Sequence, residues 1–217
     1  MKLLLTSGGI TNKSIAKALF DLVGKEPKDT SLVFIPTASN VEMADKDWLI
    51  NDLINIHKQN FKSVKIADIS AVPESIWRPQ LEASDVLFFE GGNTYHLMRW
   101  MNNSGLTKLL PKLLESKVYV GLSAGSMVTN PDLNLRLSQM IYGEDMEEKP
   151  MEGLNLVNFY ILPHFNSPFF PVRIDEIVRK VAETLPKKFF VLDDQSALKV
   201  VDDKVEVVTE GEYLEFN

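Results

Sequence analysis

The stretch that decides the fold is KVYVGLSAG, residues 117–125, an apolar run that ends in small residues. Residues 121–125 fit the pattern Gly-x-Ser-x-Gly, in which small neighbours let a serine occupy a sharp turn between a strand and a helix. The pattern alone leaves two interpretations open, because Ser123 is either a catalytic nucleophile or part of an ordinary glycine and serine turn. The rest of the chain has to decide between them.

Other short apolar runs share this character, and each ends in small or polar residues: KLLLTSGG (2–9), SLVFIPTAS (31–39), VKIADIS (64–70) and DVLFFEGGN (85–93). Longer amphipathic stretches separate or follow them, at 11–23, 41–60, 94–116 and 170–185. Continuous apolar runs are typical of strands that are buried on both faces of a parallel sheet. The alternation therefore predicts an α/β fold, with a doubly wound, mostly parallel sheet flanked by helices.

The two remaining segments are harder to interpret. From Lys188 onwards, strand-like runs are broken by VDDK and TEGE, which predicts an antiparallel hairpin or meander at one sheet edge. Residues 126–158 show few clear periods, and a long irregular connection of this kind is more often functional or mobile than filler. Whether it forms a lid stays open. No domain boundary is predicted, so residues 1–217 are expected to form a single domain.

Composition narrows the function classes. The 217 residues include no cysteine, which excludes disulfides and thiolate metal sites and suits a reducing cytosol. The formal net charge is −7 with no lysine- or arginine-rich block, so neither nucleic acid nor an anionic membrane is an expected partner. In the N-terminal stretch MKLLLTSGGI, only three leucines follow Lys2 before polar residues and glycines, and this apolar run is too short for a signal peptide or a membrane span. We therefore expect a soluble cytoplasmic protein.

Ligands of open parallel sheets bind beyond the carboxyl ends of the strands, which we call the rim. At the rim, the backbone N–H of Ala124 would face an oxyanion that develops at a substrate carbonyl. The turn Gly91-Gly92-Asn93 is the natural source of a second donor, because glycine lets the backbone approach a ligand closely. Asn93 or Thr94 would also cap the helix that follows.

A serine nucleophile needs a base, and the chain has three histidines. His57 lies in a polar helix end and is expected to be solvated. His96 lies early in the helix after the glycine pair, where a structural or substrate-binding role is favoured. His164, in FYILPHFN, ends an apolar strand-like run and is favoured as the base over a core histidine.

The base in turn needs a carboxylate that fixes its tautomer. Asp193 and Asp194 in VLDDQSAL follow a predicted strand, but paired aspartates also form turns. Asp145 in YGEDMEE lies within the segment that is hardest to interpret. The residues by themselves do not choose between these candidates.

The motifs EGGNTYHL, GLSAGS and ILPHFN, in this order, resemble the peptidase E (aspartyl dipeptidase) family of serine peptidases over most of the chain. Cyanophycinases are more distant relatives that share the Ser-Ala-Gly turn. The resemblance implies an architecture similar to class I glutamine amidotransferases, with Ser123 as nucleophile and His164 as general base. It also implies oxyanion donors from the backbone of Gly92 and Ala124.

For the third catalytic residue the family pattern fits both Asp194 and Asp145, and we favour Asp194 because it follows a strand and should share the rim. The resemblance implies a small peptide substrate and no metal or organic cofactor, and Asn93 and His96 are predicted to contact the substrate. Peptidase E members carry an arginine after Pro-His-Phe that pairs with the N-terminal aspartate of the substrate.

Arg173 is the local arginine here, within a shorter and more aromatic segment, FNSPFFPVRIDE. A substrate of the Asp-X dipeptide type is therefore an expectation that rests on Arg173. Two alternatives stay open: an esterase or amidase on a similar α/β frame, with Asp145 as its acid, and a non-catalytic peptide-binding relative. A monomer or a homodimer is expected.

Overall fold

A computed structural model describes residues 1–43, 45–133 and 151–217. The strands, in chain order, are β1 (Lys2–Thr6), β2 (Ser31–Ile35), β3 (Ser63–Ile66), β4 (Val86–Phe89), β5 (Val118–Leu122), β6 (Asp132–Leu133), β7 (Met151–Glu152), β8 (Tyr160–Leu162), β9 (Phe189–Leu192), β10 (Ser196–Val201), β11 (Lys204–Thr209) and β12 (Tyr213–Phe216). The helices are α1 (Lys13–Val23), α2 (Thr37–Asn40), α3 (Asp47–His57), α4 (Glu74–Glu82), α5 (Thr94–Asn103), α6 (Leu106–Leu113), α7 (Ala124–Met127) and α8 (Asp175–Ala182). A 3₁₀ turn covers Pro27–Asp29.

The central sheet has seven strands in the order β11-β10-β1-β5-β4-β2-β3. The five strands from β1 to β3 in this order pair in parallel, and β10 and β11 extend the sheet as an antiparallel hairpin beside β1. Strands β4 and β5 are buried along their whole length, as continuous apolar runs require. The predicted α/β class and the antiparallel C-terminal edge are both confirmed.

Helices cover both faces of this sheet, which makes it doubly wound. One face packs against α1 and α3, through residues such as Leu19 and Ile56. The opposite face packs against α4, α5 and α6, through residues such as Trp77, Leu97 and Leu110. Because side chains alternate across a strand, consecutive residues of β4 and β5 contribute to different faces.

A second, three-stranded sheet has the order β12-β9-β8 and packs against α8 through a cluster that includes Tyr160, Val178 and Phe189. Strand β8 runs parallel to β9, and β12 pairs antiparallel with β9. The C-terminal strands are thus divided between two sheets, since β10 and β11 belong to the central one. The connection from β9 to β10 therefore passes from the small sheet into the large one.

The helix boundaries differ in part from the predictions. The stretch 94–116 forms two helices, α5 and α6, which are separated at Gly105, where the backbone adopts φ 80°. Within the stretch 41–60, α3 begins only at Asp47, and within 170–185, α8 begins only at Asp175. Helix α4 has no counterpart among the predicted helices, because Pro73 and Pro79 interrupt its pattern in the way that a loop does.

The stretch predicted to be irregular, 126–158, is described only at its two ends. There, Asp132 pairs with Glu152 and Leu133 with Met151 in a two-stranded antiparallel ladder. Asp145, the alternative third catalytic residue, lies outside the described residues. In the described ranges, no helix combines the length and the apolar character that crossing a bilayer requires.

Candidate active site

Ser123 occupies the turn between β5 and α7 with φ 48° and ψ −105°, a backbone conformation that is rare for residues other than glycine. Its N–H donates to Thr6 O (3.1 Å), and its carbonyl accepts from the N–H groups of Ser126 and Met127 (both 2.9 Å). Strain of this kind persists only where surrounding contacts enforce it, and it is found most often at functional sites.

Small residues make this turn possible. A Cβ added to Gly125 would overlap the carbonyl oxygen of Phe89, so only glycine allows α7 to lie so close to the end of β4. The carbonyl of Gly125 is held by Tyr119 Oη at 2.6 Å, and Ser126 Oγ donates to Thr6 O at 2.8 Å. The turn is therefore anchored to three neighbouring strands, β1, β4 and β5.

His164 connects Ser123 to a carboxylate. Its Nε2 lies 2.9 Å from Ser123 Oγ, and its Nδ1 lies 2.6 Å from Asp194 Oδ1. A carboxylate only accepts, so Nδ1 carries the proton in neutral imidazole and Nε2 is left to accept from the Ser123 hydroxyl. This is the order of contacts that serine activation by a histidine requires.

The pairing of β8 with β9 explains why Asp194 meets His164. The two strands are parallel neighbours, so the segments that follow them lie side by side, and Phe165 N–H donates to Leu192 O at 3.0 Å. Asp193 has a different task, because it accepts from Gln195 N–H (3.0 Å), Ser196 Oγ (2.6 Å) and Glu212 N–H (2.6 Å). Asp193 thus holds the turn, while Asp194 faces the imidazole.

Ser7, at the end of β1, is a site residue that the sequence analysis placed at the rim without a role. Its Oγ donates to Asp194 Oδ1 at 2.9 Å and accepts from His164 N–H at 2.7 Å. Thr11 Oγ1 donates to the Asp194 carbonyl at 2.7 Å. The loop after β1 therefore fixes both the base and the acid, although only the strand-end position of Ser7 signals this in the sequence.

Burial lowers the pKa of His164 below its ordinary value, and the hydrogen bond and charge of Asp194 offset this only in part. Burial alone would raise the pKa of Asp194, but the contacts with His164, together with the Ser7 hydrogen bond and the charge of Arg173, outweigh it and lower this pKa. At neutral pH the imidazole is thus uncharged and the carboxylate is ionised, which is the state a general base needs.

The geometry around Gly92 and Ala124 is compatible with oxyanion binding. Gly92 has φ 123°, and a Cβ there would overlap the carbonyl of Ala38, so the position requires glycine. Asn93 N–H donates to the same Ala38 carbonyl at 3.0 Å. Within the described part of the chain, the N–H groups of Gly92 and Ala124 donate to no acceptor. Their role as oxyanion donors stays a prediction.

Two other predicted site residues lie at the start of α5. Asn93 is exposed, and its Oδ1 caps the helix by accepting from His96 N–H at 2.8 Å. His96 Nε2 is buried and meets no hydrogen-bond partner among the described residues, and burial lowers the pKa of this ring. Substrate contact stays a prediction for both. His57 is exposed at the end of α3, away from these contacts.

Arg173 lies behind the base. It is 1% exposed, and its Nη1 donates to Pro163 O at 2.9 Å. Its guanidinium carbon lies 3.9 Å from the centroid of the Phe170 ring, and the same ring stacks on the His164 imidazole at 4.6 Å with an interplanar angle of 10°. In this arrangement Arg173 contacts the loop that carries His164, and its predicted contact with substrate stays a prediction.

Asp52 of α3 and Glu90, the residue after β4, form a pair of carboxyls at the same rim, which we call the acid pair. Burial raises the pKa of Glu90 well above its ordinary value, and the neighbouring Asp52 raises it further. Burial also raises the pKa of Asp52, to about 7. A hydrogen bond from Glu90 opposes this rise, and the negative charge of Asp194 adds to it. The directions of the two shifts make Glu90 the proton donor within the pair and Asp52 the acceptor.

The acid pair should make stability fall as the pH rises. The unfolded Asp52 loses its proton near pH 4 and the folded one near 7, so the folded state binds more protons between these values. We expect the parent protein to lose on the order of 2–4 kcal/mol of unfolding free energy relative to Asp52→Asn across this range. Urea denaturation of both proteins at several pH values measures this, and a pH-independent difference would contradict it.

Among the described residues, no group of three or more His, Cys, Asp or Glu side chains is arranged to hold a metal ion. At the rim, the described residues instead bring together a serine, a histidine and an aspartate: Ser123, His164 and Asp194. A doubly wound α/β sheet that carries such contacts beyond its strand ends belongs to the same structural class as hydrolases with a serine nucleophile.

The family model "Peptidase family S51" matches residues 3–208, so the chain belongs to this family and is a serine peptidase. The chain is 28% identical over 178 residues to the uncharacterized peptidase PM1590 of Pasteurella multocida. This alignment covers 80% of this chain and 82% of that protein. It is also 28% identical over 137 residues to peptidase E of Nostoc sp., with 59% and 54% of the two chains covered.

A solved structure from Listeria monocytogenes EGD-e, described as a candidate peptidase E protein, shares the fold. Its TM-score with this chain is 0.78 at 24% sequence identity, and the match covers 97% of this chain and 98% of that one. The expected architecture, similar to class I glutamine amidotransferases, is thereby confirmed.

Proposed function

We propose that this protein hydrolyses short peptides, in particular dipeptides, through an acyl-enzyme formed on Ser123. The observation that carries the proposal is the continuous set of contacts from Ser123 Oγ to His164 Nε2 (2.9 Å) and from His164 Nδ1 to Asp194 Oδ1 (2.6 Å). Membership of family S51 supports peptide bonds as the target, and the named peptidase E relatives support dipeptides.

In the acylation step, His164 Nε2 takes the proton of the Ser123 hydroxyl while Oγ bonds to the carbonyl carbon of the substrate. The carbonyl oxygen becomes an oxyanion, which we expect the N–H groups of Gly92 and Ala124 to stabilise. His164 then gives the proton to the leaving nitrogen, and the C–N bond breaks. The strained backbone of Ser123 supports this role, because it keeps the hydroxyl at the end of a strand.

In the deacylation step, His164 takes a proton from water, whose oxygen bonds to the acyl carbon. The second oxyanion collapses, the ester bond to Ser123 breaks, and the proton returns to Oγ. Asp194 stays ionised throughout and holds the imidazole in one tautomer. The low pKa of His164 supports turnover at neutral pH, since a neutral imidazole is present before each substrate binds.

The preference for an N-terminal aspartate rests on a single side chain. It depends on Arg173, whose guanidinium is 1% exposed and contacts Phe170 and the Pro163 carbonyl. At this exposure Arg173 offers almost no free surface to a substrate carboxylate. We therefore propose short peptides as the substrate class and treat the Asp-X type as one arm of the test.

A serine-reactive fluorophosphonate tests the nucleophile directly. We expect it to label Ser123 at one equivalent per chain, as peptide mass spectrometry would show, and we expect prior labelling to abolish dipeptide hydrolysis. Dipeptides with N-terminal Asp, Glu and neutral residues, compared with simple esters, then define the acyl residue. Labelling elsewhere, or full peptidase activity in the labelled protein, would contradict the proposal. Faster turnover of esters alone would favour the esterase alternative.

A further inference from the structure

The acid pair, Asp52 and Glu90, lies next to Ser123, but neither residue has a role in the mechanism above. Glu90 directly precedes the Gly91-Gly92 turn. A Cβ placed on Gly91 would lie 3.3 Å from Ser123 Cβ and 2.9 Å from Leu122 Cδ2. Glu90 is therefore the immediate sequence neighbour of a residue that lies against Ser123.

Asp52 reaches the same place from α3. A Cβ placed on Gly9 would lie 3.7 Å from Asp52 Oδ1 and 2.7 Å from Leu122 Cδ1. The Leu122 side chain thus touches both the Gly9 and the Gly91 positions, and the acid pair lies on the α1 and α3 side of it. The Leu122 side chain therefore lies beside both the Asp52 carboxyl and the turn that carries Ser123.

Within the described ranges, no cationic side chain is paired with the acid pair. Glu90 is 0% exposed, and its carboxyl oxygens make no well-formed hydrogen bond to the described residues, although the Gly91 N–H acts on this carboxyl. Neither acid forms an ion pair with a Lys, Arg or His of the described chain. The further charge that acts on Asp52 is Asp194, another carboxylate. Buried acids without a cationic partner are rare and need an explanation.

We propose that the acid pair binds the ammonium group of the substrate's acyl residue, which is the residue whose carbonyl Ser123 attacks. This rests on the proposed function and deepens it, because it assigns a binding subsite and a charge preference. An ammonium group has three N–H donors and a positive charge, and it can therefore serve as the cationic partner of the two adjacent carboxyls. Charge-assisted hydrogen bonds of this kind are stronger than neutral ones, above all where water is excluded.

The two acids have different tasks in this subsite. Asp52 is partly exposed and meets the ligand, whereas Glu90 is completely buried and acts through Asp52 by donating its proton to it. Glu90 is thus a positioning residue. Two sources supply the same chemistry: the free α-ammonium of an N-terminal residue, and the ε-ammonium of a lysine side chain.

Binding measured without hydrolysis tests the proposal independently of the reaction. Isothermal titration calorimetry on the full-length Ser123→Ala variant compares alaninamide, N-acetyl-lysinamide and N-acetyl-alaninamide, which carry the α-ammonium, the ε-ammonium and no ammonium. We expect one or both ammonium ligands to bind at least about 10-fold more tightly than the neutral one. Adding Asp52→Asn should remove that preference, while adding Asp47→Asn, an exposed aspartate on the same helix, should keep it.

Variants of Glu90 give a second measurement, the pH midpoint of ammonium binding. A purely structural role of Glu90 would leave this midpoint unchanged. The ionisation of Asp52 should make ammonium binding tighten as the pH rises through about 7, with Glu90 and Asp194 as the acids that act on it. Glu90→Gln still donates a hydrogen bond to Asp52 and should keep this midpoint. Glu90→Leu cannot donate, so the pKa of Asp52 and the midpoint should move to higher pH.

The outcomes separate cleanly. A preference for alaninamide assigns the α-ammonium, and a preference for N-acetyl-lysinamide assigns the lysine side chain. Equal binding of all three ligands, or an ammonium preference that survives Asp52→Asn, would overturn the proposal. Because hydrolysis is not measured, a failed peptidase assay leaves these results intact. If Asp52→Asn does not fold, the pH dependence and the two Glu90 variants decide the matter.

Discussion

Replacing Ser123 with alanine is expected to reduce kcat for dipeptide hydrolysis by about 10⁴- to 10⁶-fold, the range found when a serine peptidase loses its nucleophile. Without Oγ, no acyl-enzyme forms and His164 has no hydroxyl to deprotonate. The remaining rate would come from substrate binding and oxyanion stabilisation alone. Steady-state hydrolysis of the best dipeptide from the panel, followed by amine release, measures the effect.

The matched control is Ser116→Ala, which removes the hydroxyl of an exposed serine in the turn before β5 and should leave activity unchanged. Hydrolysis by Ser123→Ala at the parental rate would exclude Ser123 as the nucleophile and would point to another group.

Local patterns were sufficient for much of the fold. The strands that end at Thr6, Ile35, Phe89 and Leu122 consist mainly of consecutive apolar residues because both faces of the central sheet are covered. Such runs predict burial on both faces directly. The rim followed from the fold class, since parallel strands bring their carboxyl ends to one edge. Ser123 could therefore be identified as a candidate before any contact was known.

Contacts between distant segments could not be derived in this way. Asp194 meets His164 because β8 and β9 pair in parallel, and nothing near either residue in the sequence records that pairing. The same holds for the acid pair, in which Asp52 and Glu90 are brought together only when α3 packs against β4. Glu90 before two glycines resembles an ordinary polar turn residue, so its complete burial was not predictable from its neighbours.

Replacing Asp194 with asparagine is expected to lower kcat by about 10⁴-fold, as in the Ser-His-Asp template, while the fold is retained. An asparagine amide can donate to Nδ1, which moves the imidazole proton to Nε2. In the parent protein, Nε2 accepts from Ser123 Oγ at 2.9 Å. In the variant, the protonated Nε2 can no longer accept the proton of the serine. Ser7 Oγ contacts the same Oδ1 position, so in the variant its oxygen would accept from the amide nitrogen there instead of donating.

The pH dependence distinguishes this mechanism from a general loss of structure. The hydrogen bond and charge of Asp194 raise the pKa of His164, so their removal should move the acid limb of kcat/KM to lower pH. Asp203→Asn, at an exposed aspartate in the turn between β10 and β11, is the matched control and should behave like the parent. Asp145→Asn is the competing variant. A carboxylate that sets the tautomer of His164 cannot be replaced by an amide without a large loss of rate. If the kcat of Asp145→Asn fell by about 10⁴-fold while that of Asp194→Asn stayed within about 10-fold of the parent, the third catalytic residue would therefore be Asp145.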